Sequence, residues 1–210
     1  NEAARDQFAE AMRLDPQDRH VALEYAFLCH DADQTAEARR VFDRLRKMGD
    51  ATAEQAFQNI DRPLAEGIER WRKAVEMTPD NFSAHRELAE LAEKRDDLEL
   101  AAGHYEKAWR LRPQLRPLLV DLGRVWQSMG RGEAAQAALL AASRGAEPRA
   151  AERARELLPS RYPYVYEFRR AIDFDPANVE LRRELAYLLL EMQNREAAEG
   201  EFRAIVRLAP

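Results

Sequence analysis

Apolar residues recur along this chain at helical spacing in blocks of about twelve, as in Leu88, Ala89, Leu91, Ala92 and again in Leu185, Ala186, Leu188, Leu189. Each block ends in a polar or glycine-containing break, at Asp31–Gln34, Arg95–Asp97, Met129–Gly132 and Gln193–Arg195. A second block then runs to a proline. Pro16, Pro79, Pro113, Pro176 and Pro210 are such stops, and Asp50 and Glu147 stand where two more fall. Eight residues before the stops are Phe8, Phe42, Trp71, Tyr105, Leu139, Phe168 and Phe202. Small residues stand five and twelve before them, among them Ala74, Ala108, Ala142 and Ala171, and Ala38, Gly67, Ala101, Ala135 and Ala198. Positions seven apart lie on one helical stripe, so the small residues predict close helix approach and the large one a knob between helices.

The stops at 16, 50, 79, 113, 147, 176 and 210 are spaced 34, 29, 34, 34, 29 and 34. A fixed period in this range predicts stacked helical hairpins rather than a single-core globule. The expected fold is therefore all-α, a right-handed superhelical solenoid of about six helix-turn-helix repeats after a leading unpaired helix. Because 34-29-34 occurs twice, a 97-residue unit of three hairpins is read as duplicated, with superunits 17–113 and 114–210 in one solenoid over 1–210. Arg86-Glu87-Leu88-Ala89 and Arg183-Glu184-Leu185-Ala186 match under that shift. In the 29-residue steps the first helix is shortened. Thr52-Ala-Glu-Gln55 predicts a capping box opening a short helix to about Ile60, with Pro63 starting the next. Its counterpart is expected over Arg149–Leu158, before Tyr162, Tyr164 and Tyr166, which predict a partly extended lead into the following helix.

Leu122-Gly123 followed by Trp126, Ala135, Leu139 and Ala142, and Leu88-Ala89 followed by Ala101, Tyr105, Ala108 and Pro113, resemble the tetratricopeptide repeat, of the multi-repeat bacterial type. That resemblance covers nearly the whole chain. It implies a peptide- or protein-binding scaffold whose first helices line a concave face. Polar or exposed residues not needed for packing there are the candidate ligand contacts: Phe27 and His30, Arg86 and Glu90, Arg124 and Gln127, Arg183 and Tyr187. An arginine can hold a carboxylate through two parallel hydrogen bonds. Relatives that clamp the C-terminal carboxylate of chaperones use asparagines and lysines on these helices. Here the corresponding places hold Phe27, Glu90, Arg124 and Tyr187, so that activity is not implied.

Composition narrows the chemistry. Of 210 residues 34% are charged, with a net charge of −5 and both signs interleaved, which argues against a phosphate-binding surface. No nucleic-acid partner is expected, and an RNA-binding helical repeat is the weaker alternative. No apolar run is long enough to span a bilayer and no signal segment is visible, so no membrane insertion is expected and the compartment is left open. Four scattered histidines and the single Cys29 point to no metal or other cofactor. No phosphate loop or nucleophile motif is present, and a non-enzymatic role is expected. A regulatory or assembly segment of a larger enzyme or secretion complex stays open. The opening helix with Phe8 and Ala11, and the apolar Phe202, Ile205 and Leu208 before Pro210, predict a segment of a longer array. They also predict end-to-end self-association through uncapped terminal helices.

Overall fold

The structure, a computed structural model, describes residues 2–15, 17–159 and 165–209. The described residues form α-helices joined by short turns: α1 (Glu2–Leu14), α2 (Arg19–Asp31), α3 (Thr35–Lys47), α4 (Ala51–Met77), α5 (Phe82–Lys94), α6 (Leu98–Leu111), α7 (Pro117–Ser128), α8 (Gly132–Ser143), α9 (Pro148–Leu157), α10 (Val165–Phe174), α11 (Val179–Glu191) and α12 (Arg195–Leu208). They gather into two compact units, Asn1–Ala101 and Ala102–Pro210, with the boundary inside α6. In the first unit α2 packs on α1 and α3, and α4 on α3 and α5. In the second, α7 packs on α8 and α11 on α12, while α9 and α10 both pack on α8.

The hairpins are made by local rules that repeat. Asp18, Asp50, Asn81, Asn178 and Asn194 each accept a backbone N–H from the first turn of the following helix. Between the helices of a hairpin, Asp33, Asp96, Gly130 and Gln193 have φ of 57°, 67°, 74° and 62°. All four stand seventeen residues before a hairpin end. The next residue in each case, Gln34, Asp97, Arg131 and Asn194, donates its N–H 2.8 Å to the carbonyl of Cys29, Ala92, Trp126 and Leu189. This left-handed cap satisfies a carbonyl that would otherwise be orphaned at the helix end. Asn81→Ala should lower stability by about 1 kcal/mol, read as a drop in the urea midpoint, and Asn81→Ser should restore most of it.

The core follows the repeating positions. Phe42, Tyr105, Leu139 and Phe168 are buried, as are Ala38, Ala101, Ala108, Ala135, Ala142, Ala171 and Ala198. Phe8, Trp71 and Phe202 are only half-buried. Tyr162 and Tyr164 lie outside the described residues; Tyr166 is exposed in the first turn of α10.

One expectation is overturned. The chain does not break between Ile60 and Pro63: α4 is a single 27-residue helix with Pro63 inside it. Thr52 is not its cap either; Asp50 fills that place, accepting from Ala53 N–H at 2.9 Å. The physical reason is packing on both flanks of the proline. Ala53, Phe57 and Ile60 are buried before it, and Leu64 and Ile68 after it, on one continuous stripe. At the corresponding place in the second unit α9 does end, at Leu157, and α10 begins at Val165.

Candidate functional site

The candidate residues lie on the first helices of four hairpins, α2, α5, α7 and α11. On α2, Phe27 is 37% exposed and meets the buried Phe42 of α3 edge-on, with ring centroids 5.0 Å apart. His30, one turn further, is exposed. On α11, Tyr187 is 56% exposed and meets Phe202 of α12 edge-on at 5.7 Å. Phe27 and Tyr187 occupy the same register, each fifteen residues before its partner ring. The inner edge of each is fixed by packing while the outer face is open, which suits a rigid contact surface.

The charged candidates are held by neighbours. Arg86 donates from Nε to Glu90 Oε1 at 2.6 Å along α5, and Arg183 from Nη1 to Glu180 Oε1 at 2.6 Å along α11. All four of these side chains are well exposed, so the pairs are weak. Arg124 on α7 is half-buried and pairs with Asp121 at 3.2 Å. Burial, and then the like charge of Arg153 on α9, push its guanidinium below the usual arginine range. Gln127 is exposed and donates from Nε2 to the Leu157 carbonyl at 2.9 Å, closing the end of α9. In each unit the candidates stand on two separate helices, α2 and α5 in the first and α7 and α11 in the second.

Tyr25 was not legible as part of any site. Its hydroxyl hydrogen-bonds Cys29 one turn on, and burial followed by that bond pushes its pKa up to about 12. Burial likewise pushes the Cys29 thiol up, so it is a packed and unreactive group. Among the described residues no group of three or more His, Cys, Asp or Glu side chains could hold a metal ion, and no helix is long and apolar enough to cross a membrane.

No known protein-family model matches the sequence, and no curated protein matches it. Among solved structures, a crystal structure of MamA is 12% identical, covering 97% of this chain and 85% of that chain, with a TM-score of 0.29. YrrB, described as a TPR protein with an unusual peptide-binding site, is 16% identical over 97% of this chain and 92% of its own, with a TM-score of 0.32. MamA from Desulfovibrio magneticus RS-1 is 14% identical over 91% and 95%, also at 0.32. The hairpin assignment therefore stands on the register of caps, turns and buried positions in this chain itself.

Proposed function

We propose that the protein is a non-enzymatic scaffold that binds an extended peptide or protein segment along the face lined by its first helices, the concave face of the expected solenoid. The observation that carries this reading is the pair of open aromatic faces, Phe27 and Tyr187, at one register of two hairpins and each braced by a second-helix ring. Braced aromatic rings lose little side-chain entropy on binding and make strong anchors. Arg86 and Arg183, related by the 97-residue shift and each in an exposed ion pair, supply acidic-group contacts beside them.

The test uses peptides selected from a random library against the wild-type protein. Phe27→Ala or Tyr187→Ala should weaken the selected peptides by about tenfold or more, the usual effect of losing an aromatic anchor. Joint reversal, Arg86→Glu with Arg183→Glu, should weaken acidic peptides further, whereas Glu106→Lys on a second helix should not. Peptides that bind all of these variants as tightly as the wild type would show that the binding face lies elsewhere.

A further inference from the structure

We propose that Arg39, Asp61 and Arg95 form a clamp that keeps α4 one helix across Pro63, at a joint where the chain otherwise divides into two helices. A proline inside a helix removes one backbone hydrogen bond, here the one to the Asn59 carbonyl, and its ring crowds that same carbonyl, at a substantial cost. Something outside the helix must hold the joint, and the contacts on either side of the proline show what does. Two residues before it, Asp61 accepts from Arg39 Nε at 2.6 Å and from Arg95 Nε at 3.1 Å. Arg39 comes from α3 and Arg95 caps the end of α5; Arg39 Nη1 also donates to the Arg95 carbonyl at 2.9 Å. Four residues after the proline, Gly67 sits against Leu91 of the same α5, so closely that an added Cβ would lie 2.8 Å from Leu91 Cδ1. Helix α5 thus grips α4 on both sides of Pro63.

The hold is more than an exposed ion pair. Asp61 and Arg39 are each 18% exposed at the side chain and Arg95 35%. Burial alone would raise the Asp61 carboxyl, but hydrogen bonds from Arg95 and Arg39, with their charges, outweigh it and hold the carboxyl below its usual range. Arg39 also lies over the Phe57 ring at 5.0 Å and Arg46 over it at 4.1 Å, tying the first half of α4 to α3. Nearby, Arg40 on α3 reaches Asp96 just after α5 at 3.2 Å, and Lys94 at the end of α5 reaches Asp33 in the turn after α2 at 3.6 Å.

The chain supplies its own comparison. The 97-residue shift places Gln136, Leu158 and Met192 at the three clamp positions, and these can form no ion pair. There the helix stops at Leu157, and Leu158 is extended, with φ −74° and ψ 143°. Because α4 joins α3 to α5, a break at Pro63 would move Arg86 and Glu90 on α5 relative to Phe27 and His30 on α2. On the binding reading above, the clamp fixes the spacing of those contacts.

Hydrogen exchange read peptide by peptide tests the clamp independently of any ligand. In Asp61→Asn, amides over 61–67 should exchange about tenfold faster or more, while the buried parts of α2 and α5 keep their protection. Adding Pro63→Ala to Asp61→Asn should restore protection over 61–67, because without the proline no clamp is required. Unchanged protection in Asp61→Asn, an equal loss throughout the first unit, or failure of Pro63→Ala to restore it would each overturn the proposal.

Discussion

Gly123→Val is expected to destabilise the protein by about 2–3 kcal/mol, whereas Gly200→Ala stabilises it by about 1 kcal/mol. Both glycines lie inside helices, α7 and α12, so helix propensity alone would make both substitutions favourable or neutral. Space decides the sign. A Cβ at Gly123 would stand 2.6 Å from Leu139 Cγ, 2.8 Å from its Cδ2 and 3.3 Å from the Ala135 carbonyl oxygen. Leu139 is fully buried and Ala135 belongs to the facing helix backbone, so neither can withdraw. Around Gly200 an added Cβ meets nothing within 4 Å. Urea midpoints moving in opposite directions for the two variants are the expected result. A stabilising shift in both would mean that α7 and α8 do not approach as closely as the packing of Gly123 requires.

Asp175→Asn should cost about 3–5 kcal/mol, the usual effect of stripping one member from a buried ion pair. Arg116 Nη2 lies 2.5 Å from Asp175 Oδ2, with the two side chains 16% and 12% exposed. The guanidinium also lies over the Trp109 ring at 5.6 Å, and Gly145 leaves it room, since a Cβ there would come 2.8 Å from Arg116 Cγ. Neutralising the carboxylate leaves the largely buried guanidinium without its ion-pair partner. Yet the pair is not fully satisfied: Arg116 Nη1 has no hydrogen-bond partner. Replacing both residues, Arg116→Met with Asp175→Leu, should therefore recover most of the loss. Thermal unfolding of the single and double variants checks this. A double variant as unstable as Asp175→Asn would show that the cost comes from lost packing rather than from the unpaired charge.

The candidate binding residues were legible only as positions. Helical spacing put Phe27 and Tyr187 at one register, but nothing in the order of residues showed that Phe42 and Phe202 brace them, because the paired rings sit on different helices. Arg86 was legible both as a candidate and as an i,i+4 partner of Glu90, and the 2.6 Å contact shows the second of these. Arg124 read as a candidate ligand contact; its burial and the nearby charge of Arg153 depend on how α7 and α9 approach.

By itself the sequence determined the repeating elements. Caps at Asn81 and Asn178, left-handed turns at Asp96 and Gln193, and buried Ala108 and Ala171 all act within one or two helical turns, where residue spacing fixes geometry. The tertiary structure alone decided whether α4 breaks at Pro63. Local chemistry there, a capping-box pattern and a helix-breaking residue, points to a break. It is outweighed by a continuous apolar stripe and by Arg39 and Arg95, which reach Asp61 from 22 and 34 residues away in the chain. Charge pairs at such separations carry no periodic signature, because a long flexible side chain can find its partner from many helix positions, and only packing chooses among them.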